Sequence, residues 1–271
     1  VSEHTTTAGA DAPMIAVIGG SGFYEFLADA EAVSVETPYG SPSGEVSIGR
    51  VGGQAVAFLP RHGKGHRYPP HLINYRANMW ALRSVGVRRV IAPCAVGSIH
   101  PELGPGAVVV PDQLVDRTTG RIQTYVESGA VHIAFADPYC PDLRSQLCKA
   151  NPDIVDGGTM VVVDGPRFST RAESQWYAGL GWSLLNMTGH PEAVLARELA
   201  MCYASVALVT DRDAGLSQED AVSQAEVFAE FERNIGRLRD LLLGVVADLT
   251  WPPGCQCAHA LDGMEPGYEL P

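Results

Sequence analysis

Short β-branched apolar runs recur along the whole chain, each closing on glycine or polar residues, with helical segments between them. IAVIGG (15–20), QAVAFLP (54–60), RRVIAP (88–93), GAVVVPDQLVD (106–116), GTMVVVDG (158–165), WSLLN (182–186) and YASVALVTD (203–211) all have this form. Such alternation specifies an α/β fold whose functional turns sit at strand C-termini. Segments 44–51 and 54–60 alternate around Gly52-Gly53 and predict a hairpin. RRVIAPCAVGS (88–98) predicts a strand running into a small-residue turn at Cys94–Gly97, and GAVVVPDQLVD predicts one strand. Leu72, Tyr75, Met79 and Leu82 share a helical face within 72–86, 191–201 predicts a helix with Pro191 in its first turn, and 217–249 a long amphipathic one. The loop RHGKGHRYPPH (61–71) is expected to be irregular, since its glycines and Pro69-Pro70 oppose regular structure. No repeat or composition break divides the chain. One domain is expected over 14–250, after a disordered leader (1–13) and before an irregular tail (251–271).

Across 271 residues, hydrophobic content of 46% and charged content of 18% fit a soluble globular enzyme. No apolar run reaches the ~20 residues that span a bilayer, and the first residues lack the basic-then-apolar layout of a secretory signal. A cytoplasmic protein is expected. The formal charge of −12 argues against nucleic acid and anionic membranes as partners. An anion bound by so acidic a chain needs placed arginine, histidine and backbone N–H groups. None of the six cysteines forms a CxxC pair, so free thiols are expected. Cys255-Gln-Cys257 stands out, with no catalytic role expected. His62, His66 and His71 span Gly65 and Pro69-Pro70 without an acidic partner, so no metal site is expected there.

The strand 15–20 ends in Gly19-Gly20-Ser21-Gly22, a turn suited to phosphate. It lacks the third glycine of a dinucleotide fingerprint, and no P-loop pattern is present. Similar turns recur: Arg61-His62 after one strand, Cys94–Gly97 after another, Asn186-Met187-Thr188 after a third. They offer guanidinium, imidazole, backbone N–H and hydroxyl donors. Only Arg61 brings full charge, which suits a small exchangeable anion better than a held cofactor.

IGGSGFYEF, RHGKGHRYPPHLINYRANMWAL, DGPRFSTRAES and NMTGHPEAVLARELAMCYASVALVTDRDAG resemble the trimeric purine nucleoside phosphorylase family, and within it the branch acting on 5'-methylthioadenosine. The similarity runs from about Ile15 to Leu249. It implies a single α/β domain with a central mixed sheet, partly closed into a barrel and flanked by helices. It also implies a homotrimer with sites at subunit interfaces. By the same resemblance, Ser21, Arg61, His62, Cys94, Ala95 and Thr188 match the phosphate site, and Met187 lies under the ribose. Phe168, Ser169, Asp211 and Asp213 match the purine pocket, while His132 reaches the neighbouring subunit's site near the 5' group. His66 is expected at the mouth of the site, and Gln224, Val227 and Phe228 near the 5' pocket. Gln224 stands where the branch is apolar, Cys94 where it has threonine, and Arg212 lies between the two acids.

Phosphorolysis places a dianion beneath the ribose and neutralises a departing purine. A protonated carboxyl in a dry pocket can donate to N7 of adenine, and a carboxylate can accept from its 6-amino group. Asp211 is expected as the N7 acid and Asp213 as the acceptor or its support. Their i, i+2 spacing at a strand end puts both on one side. The expected reaction consumes inorganic phosphate as co-substrate, needs no other cofactor, and converts 5'-methylthioadenosine to adenine and 5-methylthioribose 1-phosphate. Alternatives are adenosine, inosine or another 5'-substituted nucleoside, a nucleoside hydrolase, or a non-catalytic nucleoside-binding protein.

Overall fold

The computed structural model describes residues 14–20, 23, 26–213, 223–251 and 255–271. The leader, Ser21, and the 217–222 part of the expected long helix lie outside the described residues. In chain order the elements are β1 (Met14–Gly19), β2 (Glu31–Val33), β3 (Val46–Val51), β4 (Gln54–Pro60), α1 (Tyr75–Ser84), β5 (Val87–Ser98), β6 (Val108–Val110), β7 (Gln113–Asp116) and α2 (Pro141–Ala150). There follow β8 (Val155–Asp156), β9 (Thr159–Val162), α3 (Arg171–Gly179), β10 (Leu184–Asn186), α4 (Gly189–Glu198), β11 (Cys202–Asp211) and α5 (Gln224–Asp248).

β1 lies between β4 and β5, parallel to both. Buried on both faces, it reads as an unbroken apolar run. Its side chains alternate between two layers. Ile15 and Val17 join a core with Leu238 and Leu242 of α5. Ala16 and Ile18 join a second with Met79 and Leu82 of α1 and Leu195 of α4. The result is a single α/β domain with a mixed sheet in the order β2-β3-β4-β1-β5-β10-β9-β7, from which β11, β6 and β8 branch at β5. These pairings do not establish the partial barrel that the resemblance implies.

The branch point positions the site. β11 runs parallel along one edge of β5, from Cys202 opposite Arg89 to Asp211 opposite Gly97. On the other edge, β1 pairs only as far as Ile91, and antiparallel β10 pairs only at Gly97 and Ser98. Residues 92–96 are therefore bonded by a strand on one edge alone, and the sheet opens there.

Several expectations are corrected. Cys94–Gly97 is not a turn: β5 continues through Ser98 because β11 pairs along it. GAVVVPDQLVD is two strands, because Pro111, with no N–H, interrupts the run and β6 and β7 take different partners. Leu72 precedes α1 and is 62% exposed, outside the buried face of Tyr75, Met79 and Leu82. α5 begins at Gln224, where Ser223 and Glu226 form a capping box. α2 and α3 were not expected, although Thr170 and Glu173 form the same device before α3. No two cysteines are bonded, yet four of the six sulfurs gather in one place, which their spacing did not indicate. No helix among the described residues is long and apolar enough to cross a membrane.

Candidate active site

A cavity of about 350 Å³ fills the opening beside β5, a size ordinary for a small-molecule site. Gly20 at the end of β1, Arg61 and His62 after β4, Cys94–Gly97 of β5 and Leu185–Thr188 at the end of β10 line it. So do Phe168, Asp211, Asp213 and the first turns of α5.

At one end, Arg61 is 1% exposed and Glu192 of α4 is 0% exposed. Arg61 donates through Nε to Glu192 Oε1 at 2.5 Å and through Nη2 to Oε2 at 3.0 Å, a bidentate pair. Nη1 donates to the Pro93 carbonyl at 3.1 Å, and Tyr203 donates its hydroxyl to Glu192 Oε2 at 2.9 Å. Burial opposes the charge on Arg61, but the charge and hydrogen bonds of Glu192 outweigh it and hold its pKa above the usual value. Three of the five guanidinium N–H bonds are thus engaged, leaving one on Nη1 and one on Nη2. Gly20 is required beside them, since a Cβ there would stand 2.9 Å from Nη1 and 3.2 Å from the Pro93 oxygen.

The open edge of β5 is finished by side chains. Arg61 takes the Pro93 carbonyl, and Asn186 Nδ2 donates to the Ala95 carbonyl at 3.3 Å. In an extended strand a residue's N–H and C=O point to the same edge, so the Ala95 N–H faces the opening as well. Asn186 Oδ1 accepts from the Thr188 and Gly189 amides at 2.7 and 2.6 Å. That capping role belongs to Asn186, while Thr188 lines the cavity with its hydroxyl 3.4 Å from the same oxygen.

His62 is corrected from donor to acceptor. Its Nδ1 lies 2.8 Å from the Tyr68 carbonyl and so carries the proton, leaving Nε2 with a lone pair. Burial, then the neighbouring His66 and Arg61, lower its pKa to about 3. The His62 and His66 rings stack with centroids 4.0 Å apart and planes 15° apart. Stacked rings do not converge on an ion. Burial pushes the Cys94 thiol up to about 12, with Glu192 adding to the shift against Arg61, so the group is neutral.

At the other end, β11 bulges between Val209 and Asp211 and turns Asp211 into the cavity. Asp211 Oδ2 accepts from Thr210 Oγ1 at 2.7 Å and Oδ1 from the Asp213 amide at 2.8 Å. Burial outweighs these bonds and, with the charge of Asp213, raises its pKa to about 6. Asp213 is not on the strand: it lies in a turn with φ 48°, 1% exposed, and accepts a hydrogen bond from Ser174 of α3. The i, i+2 strand placement is corrected accordingly. Gly97 permits the two acids to close on β5, since a Cβ there would lie 3.0 Å from Asp211 Oδ1. Arg212 is exposed and donates to the Pro101 carbonyl at 3.1 Å, away from the acids.

Met187 and Phe168 line the cavity, as do His66, Gln224, Val227 and Phe228, and the exposed Gln224 and Phe228 mark its mouth. Ser169 does not line the cavity. His132 is exposed and outside the cavity of its own chain. Sequence reasoning missed Glu192 and Ser174, and placed Asn186 in an anion-binding turn without its part in capping α4 and the edge of β5. A glutamate inside the apolar stretch PEAVLA was the available signal for Glu192. Ser174 had none once α3 was missed.

The profile of the Phosphorylase superfamily matches residues 14–247. The S-methyl-5'-thioadenosine phosphorylase of Mycolicibacterium smegmatis is 60% identical over 259 residues, covering 95% of this chain and all of that protein. A purine nucleoside phosphorylase of Streptomyces coelicolor is 55% identical over 272 residues, covering 95% and 97% of the two chains. Among solved structures, the methylthioadenosine phosphorylase from Schistosoma mansoni in complex with adenine superposes with a TM-score of 0.84. It shares 38% identity and covers 87% of this chain and 91% of its own.

Proposed function

The chain belongs to the phosphorylase superfamily, and from that premise we infer that it cleaves the N-glycosidic bond of 5'-methylthioadenosine with inorganic phosphate, giving adenine and 5-methylthioribose 1-phosphate. The observation that carries this reading is one cavity with a neutralised arginine at one end and a carboxyl of raised pKa at the other. The relatives named for this activity support the substrate.

Phosphate binds at the open edge of β5. The two remaining Arg61 N–H groups, the Ala95 amide and the Thr188 hydroxyl hold its oxygens, with Ser21 assigned to the same anion. Neutral His62 accepts a hydrogen bond at Nε2 from the hydroxyl of a monoprotonated phosphate, which turns the other oxygens towards the sugar. Because Glu192 cancels the charge of Arg61, the phosphate is held by aimed hydrogen bonds and remains exchangeable. One phosphate oxygen attacks C1' from below while the C1'–N9 bond breaks, through a ribose of oxocarbenium character. The electron pair of that bond passes to the purine, and Asp211 delivers its proton to N7. Asp213, oriented by Ser174, accepts from the 6-amino group. Met187 lies under the ribose and Phe168 against the base. A homotrimer is part of the same proposal, with His132 of each subunit reaching its neighbour's 5' pocket, and the exposed Phe228 at the mouth supports a covered site.

Base release from methylthioadenosine, adenosine and inosine, with and without phosphate, tests this. Release should require phosphate and be fastest with methylthioadenosine. Release without phosphate would replace the reading by hydrolysis, and none at all by simple binding. Thr188→Val should raise KM for phosphate about tenfold, the worth of one hydrogen bond to an anion, with KM for the nucleoside nearly unchanged. An unaltered phosphate KM would remove Thr188 from the anion site.

Gln224 favours a second substrate, because an amide at the mouth can bond a 5'-hydroxyl. Gln224→Leu is expected to shift kcat/KM about tenfold towards methylthioadenosine over adenosine. A constant ratio would leave Gln224 a rim residue without a part in selection.

A further inference from the structure

Four cysteines from three parts of the chain meet far from the cavity. Cys140 is the N-cap of α2, Cys202 begins β11, and Cys255 and Cys257 flank a single residue in the tail. Their Sγ atoms all lie within 4.8 Å of one another, with Cys255 3.5 Å from Cys140 and 3.3 Å from Cys202. Disulfide sulfurs stand about 2.05 Å apart, whereas tetrahedral thiolates with Zn–S bonds of about 2.3 Å place their sulfurs roughly 3.8 Å apart. The cluster has the second spacing.

A separate feature points the same way. Arg89, the partner of Cys202 on the adjacent strand, is 2% exposed. It donates to the Thr250 carbonyl and lies 4.2 Å over the Trp251 ring, both on the segment leading to Cys255. Among the described residues it forms no ion pair. A dianionic tetrathiolate centre that includes Cys202 would place negative charge on the strand paired with this cation.

We propose that Cys140, Cys202, Cys255 and Cys257 bind one structural Zn²⁺. Four thiols bind the ion as [Zn(S-Cys)4]²⁻ and release four protons, with no change of oxidation state. All four positions are filled by protein, so the centre leaves no place for substrate. Cys202 and Asp211 stand at opposite ends of β11, about 30 Å apart at roughly 3.3 Å per residue. The centre therefore fastens the tail to α2 and β11 and takes no part in the chemistry. Cys257 is buried, and Tyr268 beyond it donates to the Glu198 carbonyl at 2.6 Å, so the fastened tail is packed onto the domain.

Metal analysis of the full-length protein, purified without chelators and dialysed against Zn²⁺, tests this. The expected result is about one zinc per chain, with X-ray absorption showing four sulfur neighbours at about 2.3 Å. Cys255→Ser/Cys257→Ser should lose that zinc and melt earlier while keeping phosphate-dependent base release, if it folds. Should the variant fail to fold, the wild-type measurement still decides. A metal-free wild type with six titratable thiols, disulfides among these four cysteines, or iron in place of zinc would overturn the assignment.

Discussion

Asp211→Asn is expected to lower kcat on adenine nucleosides by about 10²–10⁴-fold, the usual worth of a general acid. The amide fills the same volume but has no proton to give N7. The wild-type profile should carry the matching signature. Asp211 has its pKa raised to about 6 by burial, so the protonated fraction falls as pH rises through 6. kcat/KM should decline on that side, and the limb should vanish in the variant. Asparagine can also donate to a 6-oxo group, so the remaining activity should shift towards inosine. An unchanged base preference with a retained alkaline limb would remove Asp211 from this role. Stability should move the other way. A carboxyl raised from 3.8 to about 6 favours the folded state most below its unfolded pKa, and that advantage is lost as pH rises through 6. At neutral pH the variant should be more stable by up to about 3 kcal/mol, read from urea midpoints.

Glu192→Gln should have the largest effect on stability, about 3–5 kcal/mol, because it strands the Arg61 guanidinium at a fully buried site. The melting temperature should fall by about 10 °C. An unpaired guanidinium also attracts anions, so millimolar phosphate should raise the melting point of the variant more than that of the wild type. Equal melting temperatures without phosphate would show that the pair is unimportant. A phosphate response no larger than wild type would separate Arg61 from the anion.

The α/β class was legible because it follows from local pattern: β1 is apolar without interruption since both its faces are covered. Arg61 and Thr188 were legible as cavity-lining residues because each comes just after a strand, and Asp211 because it ends one. Cys94–Gly97 misled, since small residues after Pro93 read as a turn when only β11, more than a hundred residues later, keeps them extended. Glu192, Asn186 and Ser174 act on groups distant in sequence or on backbone edges, and no spacing rule records that. The cysteine cluster was hidden for the same reason, since its ligands come from three segments and a search for close pairs passes over them.

The opening beside β5 has a consequence for how such an enzyme diversifies. In the proposed reading the phosphate is held by buried groups tied to the sheet, Arg61 on the Pro93 carbonyl, the Ala95 amide and Thr188 beside Asn186, which substitution alters at a cost to affinity or packing. The other reactant is surrounded at the mouth by separate side chains such as Gln224 and Phe228, each exchangeable alone. Lineages built on this frame should therefore drift readily in which nucleoside they accept while remaining committed to the same attacking oxyanion.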